Sequence, residues 1–172
     1  MATYDEHRQA LKGKVTFKGQ PDEAHEHALA SLYAETKVPA EHVGLVSHFA
    51  FGSPQGGTAA ARYLPGERAI HSSRNLPAVM NWGDDARESS KYAVAHETGH
   101  AVAHATQPRQ FEQNMRTPEG RGVVEAHGDN YAHGAIPGTS YKSGYERQLD
   151  RVQSPAESQY MNTDSYRRAR RP

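Results

Sequence analysis

From Asp85 to Ala105 the chain runs without proline and with one glycine, Gly99, and inside that run lies His96-Glu97-Thr98-Gly99-His100. This H-E-x-x-H order constrains the fold more than any other feature, because its two histidines converge only if the segment is helical. Residues four apart sit one turn above each other on the same helical face. Two imidazoles so placed can reach one zinc ion at about 2.0–2.1 Å per nitrogen, and the intervening glutamate lies where it can take a proton from water. The chain has 11 histidines. At that composition the string would arise by accident about 0.05 times, so its setting decides its weight. Asp84 or Asp85 can cap the helix start, and acidic residues there suit the helix dipole. The helical pattern continues through Ala101 to Ala105 and stops before Gln107-Pro108, since proline disfavours helix at the residue before it. Gly99 costs about 1 kcal/mol relative to alanine in a helix interior. That points to another backbone, or the surroundings of a metal, approaching closely there.

A catalytic zinc ion usually has three protein ligands and one open position. Val124-Glu125-Ala126-His127-Gly128-Asp129-Asn130-Tyr131-Ala132 supplies candidates for the third. Glu125 and Asp129 are again four apart and share a helical face. Glu125 would bind the metal, and Asp129 would accept the second ring N–H of a ligand histidine and so fix its tautomer. His127, giving a three-histidine site, and Asp129 itself remain alternatives for the third ligand. With Gly128 and Gly134 present, the segment also reads as a solvated turn. His104 is expected to be solvated or to support the site, and His25 and His27 to lie on the surface of a polar helix.

Taken together, the two motifs resemble those of the thermolysin-like gluzincin metallopeptidases, in which H-E-x-x-H-A-V is followed downstream by E-A-x-x-D and an aromatic residue. The matching residues are His96, Glu97, His100, Ala101 and Val102, then Glu125, Ala126, Asp129 and Tyr131. The stretch from Ala101 to Val124 is slightly longer than in that family. The 47 residues after Glu125 leave no room for its C-terminal helical domain, which supplies a transition-state histidine. The ImmA/IrrE-type minimal metallopeptidases are closer in size, and they too combine a short sheet, an H-E-x-G-H helix and an acidic second helix. Their E-A-N-x-F-A run is followed only in part by Asp129 to Ala132.

The resemblance implies a small gluzincin of the α+β class. It would be a minimal zincin-like domain over residues 1–137, with a small, mostly antiparallel sheet packed on the H-E-x-x-H helix and on a second ligand-bearing helix. It also implies Zn2+ held by His96, His100 and Glu125, with Glu97 as general base and then general acid in the hydrolysis of a peptide substrate. Tyr131, His133, Tyr141 and Tyr145 are candidates for the further donor that a developing oxyanion needs.

Composition sets limits. Leu, Ile, Val and Phe number only 23 of 172 residues, while alanine contributes 24, which suits close helix packing around a small core. The formal net charge is zero, and this argues against a broad phosphate-binding surface and hence against nucleic acid as partner. There is no cysteine, so disulfides and thiolate metal sites are excluded. No run approaches the length of a membrane helix, and residues 1–8 lack the apolar core of a signal peptide. The expected location is the cytoplasm, or the interior of a viral particle.

Elsewhere, Val15 to Phe17 reads as a strand, and Pro21-Asp22-Glu23 opens a helix that buries Leu29, Leu32 and Tyr33. Val43 to Phe51 reads as a strand, and Thr58 to Ser73 as a hairpin turning at Leu64 to Glu67. Ala59–Tyr63 or Ala69–Ser73 would be an edge able to pair with an extended peptide. Residues 74–84 read as a loop in which Trp82 packs. From Gly138 the chain turns to Ser, Tyr, Gln and Arg, and residues 138–172 read as an extended basic, polar tail that could dock on an assembly partner. This tail and the sparse core keep two other readings in play. One is a structural component of a virion or injection machine retaining a zincin fold, and the other is a protein-binding regulator.

Overall fold

The structure, a computed structural model, describes residues 1–57, 59–151 and 163–170. Their order is α1 (Tyr4–Leu11), β1 (Val15–Phe17), β2 (Gln20–Pro21), α2 (Glu23–Ala34), α3 (Ala40–Gly44), β3 (His48–Phe51) and a 3-10 turn (Pro54–Gly56). Then follow β4 (Arg62–Leu64), β5 (Ala69–Ser72), α4 (Leu76–Met80), α5 (Asp84–Thr106), α6 (Pro108–Met115), α7 (Pro118–Ala135), α8 (Gly144–Arg151) and α9 (Thr163–Ala169). The class is α+β, as the two motifs imply. None of the described helices is long and apolar enough to cross a membrane.

The five strands lie in the order β2-β1-β3-β5-β4. Pairs β1–β2 and β4–β5 are antiparallel, whereas β1–β3 and β3–β5 are parallel. The sheet is therefore mixed, not mostly antiparallel, and the connections explain why. Between β2 and β3 the chain makes α2 and α3, and a helical crossover returns a strand in its original direction. The hairpin β4–β5 forms where expected and adds β4 as the outer edge, with Tyr63 opposite Ile70. Val15, Phe49, Phe51, Tyr63 and Ile70 bury one face of the sheet in a cluster shared with Leu29, Leu32 and Tyr33 of α2 and Val94 and Ala95 of α5.

Helix α5 starts one residue before the expected run, after Gly83 with φ +98°, and keeps Asp84 and Asp85 in its first turn. Helix α7 is capped by Thr117, whose hydroxyl accepts from the Gly120 N–H at 3.0 Å, and opens on Pro118. These are favoured residues at those positions. The helix runs straight through Gly128 and Gly134, so the Glu125 segment is not a turn. α5 and α7 pack along each other, and glycines permit the approach. An ideal Cβ on Gly99 would lie 2.7 Å from Tyr131 Cβ and 3.3 Å from Gly128 Cα.

Several local expectations change. Val43 and Val46 are buried from α3 and the turn after it, and β3 begins only at His48. Pro39 precedes α3 in the extended conformation and directs the chain into that short helix. Residues 74–84 contain α4, capped by Asn75, and Trp82 is 77% exposed rather than packed. His25 is buried, not on the surface: its ring lies between Phe17 and Phe51, at 4.4 and 5.3 Å. The segment after Gly138 is not simply extended. Its described residues include α8 and α9, and α9 packs against α7, because its tyrosine and arginine side chains find polar partners in the folded domain. Residues 152–162 of that segment, and residues 171–172, lie outside the described residues.

Candidate metal centre

Helix α5 presents His96 and His100 on one face, both buried. Their rings stand nearly perpendicular, at 85° with centroids 4.5 Å apart. Glu125 reaches them from α7, with Oε2 at 3.3 Å from His96 Nε2 and Oε1 at 3.8 Å from His100 Nε2. One ligand atom from each residue lies within 4.8 Å of the others. A tetrahedral ion with bonds of about 2.0–2.1 Å has donor–donor edges of about 3.3–3.4 Å, so the spacing and the two-nitrogen, one-carboxylate donor set suit a metal ion. The three residues could hold one.

Asp129 engages the other side of His96. Its Oδ1 lies 2.7 Å from His96 Nδ1. A carboxylate there accepts, so Nδ1 carries a hydrogen, and Nε2, which faces Glu125 and His100, is the nitrogen that would exchange its proton for a metal. Asp129 is completely buried and accepts three further hydrogen bonds: from Tyr92 (3.0 Å) on Oδ1, and from Ser143 (2.7 Å) and Tyr166 on Oδ2. His100 Nδ1 is buried without a partner among the described residues.

The electrostatics follow from this packing. Burial alone would lower the His96 pKa, but the carboxylates of Asp129 and Glu125 override it and hold it well above that of a free imidazole. Burial and the neighbouring His96 push His100 down to about 3, which leaves it neutral, with a lone pair on one ring nitrogen, at neutral pH. Burial would raise Asp129 and Glu125, yet the hydrogen bond from His96 keeps both below the usual carboxylate range. Glu97 lies beside this group, buried, with Oε2 accepting the Tyr63 backbone N–H at 2.7 Å. Burial pushes its pKa up to about 7, where a carboxyl group can both take and return a proton near neutrality.

Among the other sequence candidates, His127 is exposed on α7, outside the group that could hold a metal. Asp129 occupies Nδ1 of His96 and lies outside that group too. His104 bonds the Tyr63 hydroxyl at 3.0 Å. Of the four candidate oxyanion donors, Tyr131 bonds His42 (2.7 Å), His133 bonds Glu146 (2.7 Å) and Tyr141 packs on the Tyr92 ring (4.8 Å). The Tyr145 hydroxyl makes no hydrogen bond among the described residues. Burial and the charges of Glu125 and, more weakly, Asp129 raise its pKa.

Sequence reasoning missed Tyr92, Ser143, Glu146 and Tyr166. Tyr92 carried a signal, since it stands one turn before His96 on the same helix. Ser143, Glu146 and Tyr166 carried none, because they reach the site only through the fold of the C-terminal segment. No protein-family model, curated protein or solved structure matches this chain.

Proposed function

We propose that this protein is a zinc-dependent metalloendopeptidase in which His96, His100 and Glu125 hold the metal. The observation that carries the reading is the convergence of those three residues beside the buried carboxyl group of Glu97. When bound, zinc would supply Lewis acidity, acidifying a water molecule and polarising a peptide carbonyl. Glu97 would accept a proton on the oxygen that Tyr63 does not engage and pass it to the leaving amine. Tyr145, whose hydroxyl is free among the described residues and which senses the Glu125 charge, would donate to the developing oxyanion. The edge strand β4 would offer main-chain groups to an extended peptide.

The test is metal content together with a Glu97→Gln variant. The purified chain should bind one zinc ion, cleave members of a peptide library, and lose about 100- to 10,000-fold in rate in the variant. A chain that binds no zinc would sink the proposal. Zinc binding without cleavage of any library peptide would leave a metal-stabilised binding or assembly protein. Tyr145→Phe should lower kcat with little change in KM.

A further inference from the structure

We infer that α9 is part of the metal centre: Tyr166, by holding Asp129, is a positioning residue that sets the metal affinity of His96 and links docking of the C-terminal segment to metal binding. The inference rests on the metal reading above. Its basis is the distribution of donors around one carboxylate. The two bonds on Oδ1 of Asp129 come from α5, through His96 and Tyr92. The two on Oδ2 come from beyond residue 138, through Ser143 and Tyr166. The C-terminal segment therefore satisfies half of the carboxylate that orients a ligand histidine.

This arrangement is built rather than incidental. Tyr166 is fully buried, and its ring stacks on Tyr145 at 5.1 Å. The end of α9 is fastened by Arg170, which donates to Glu146 (2.7 Å) and to Asn130 Oδ1 (2.6 Å), while Asn130 donates back to the Ala169 carbonyl (3.2 Å). Glu146, 3.2 Å from the Tyr92 hydroxyl, shares its single proton with Asp129 and accepts from the Ser143 N–H (2.8 Å), which closes the network on α5. A carboxylate that loses its donors in a buried site is left with lone pairs uncompensated. It can meet that cost by turning away from His96, and groups that orient a metal ligand typically change metal affinity about 10- to 100-fold when removed. Because coupling is reciprocal, whatever α9 gives to metal binding, the metal returns to α9 docking.

The experiment uses the full chain and Tyr166→Phe, which keeps the buried ring and its stacking and removes one hydroxyl. Zinc affinity is measured by chelator competition, the Co2+ form is examined by visible absorption, and amide exchange of residues 163–170 is followed with and without zinc. The expected result is wild-type far-UV circular dichroism, zinc affinity weakened about tenfold or more, a shifted Co2+ spectrum, and exchange over 163–170 that slows when zinc binds the wild type. A purely structural role for α9 predicts unchanged affinity and spectrum in Tyr166→Phe, and that result would overturn the inference while leaving the metal site standing. If Tyr166→Phe fails to fold, Ser143→Ala removes the other donor to Oδ2 and is read in the same way. A wild-type chain that binds no zinc would overturn both the inference and the proposal beneath it.

Discussion

Gly128 lies directly against His96: an ideal Cβ at position 128 would stand 2.7 Å from His96 Cε1, and 2.8 Å from Cε1 of His100. The residue three positions after Glu125 is thus the floor on which both imidazoles rest. Alanine there should favour the isolated helix by about 1 kcal/mol, yet it must displace rings that are fixed by Asp129 and by close packing. Gly128→Ala should weaken zinc binding about tenfold or more while helix content stays at the wild-type level. Chelator competition with parallel circular dichroism checks it, and wild-type affinity would mean that the imidazoles can retreat without cost.

The bond from the Tyr63 N–H to Glu97 separates two substitutions that are often treated as equivalent. Glutamine at 97 keeps a carbonyl oxygen able to accept that N–H, whereas alanine leaves a buried backbone donor unpaired. Glu97→Ala should therefore be less stable than Glu97→Gln by about 1–3 kcal/mol. Denaturant unfolding of the two metal-free variants measures the difference. Equal stabilities would mean that water replaces the carboxylate at the β4 edge.

A second buried pair ties the H-E-x-x-H helix to α2. Thr98 Oγ1 donates to the Val94 carbonyl at 2.7 Å, so the Tyr33 hydroxyl, also 2.7 Å away, must be the donor in their mutual bond. Thr98→Val removes the acceptor and strands the tyrosine hydroxyl in a fully buried position, at a cost of about 1–3 kcal/mol. Tyr33→Phe combined with Thr98→Val should recover most of that loss. A double-mutant cycle by denaturant unfolding tests it, and strictly additive losses would deny the coupling.

What the sequence revealed and what it concealed divide along physical lines. His96, His100, Glu125 and Asp129 were legible because the members of each pair are four apart on one helix, so local geometry puts each pair on one face, and the packing of α5 on α7 then brings the two pairs together. The turn at Leu64 to Glu67 was legible for the same local reason. Helix α1 also has a local signal, the Thr3–Glu6 capping box, but apolar periodicity passes over so short and polar a segment. Ser143 and Tyr166 lie 14 and 37 residues from Asp129, in a stretch whose composition matches solvated chain. Their role depends on hydroxyls satisfying one buried carboxylate, and hydropathy does not register that. The direction of β3 and β5 was hidden similarly, since that of β3 follows from the path of α2 and α3, and that of β5 from the placing of β4 on its outer side, and neither from the residues of the strands.

Acid sensitivity should trace in part to His7, far from the metal ligands in sequence. Its ring is fully buried, stacks on Tyr33 at 5.5 Å, and has no hydrogen-bond partner on either nitrogen among the described residues. Burial holds its pKa below the ordinary 6.5, with the Glu6 charge opposing more weakly. The unfolded chain therefore takes up this proton more readily than the folded one. Stability from this residue is fully present above about pH 6.5 and is lost as pH falls from there towards the folded-state pKa. Leucine at position 7 has no proton to gain. Whatever the offset between His7→Leu and wild type at pH 7.5, it should move in favour of the variant as the pH is lowered to 5, by at most about 1.4 kcal/mol per pH unit. Denaturant unfolding of both metal-free proteins across that range is the measurement. An offset that stays constant would show that His7 gains its proton as easily in the folded protein as in the unfolded chain.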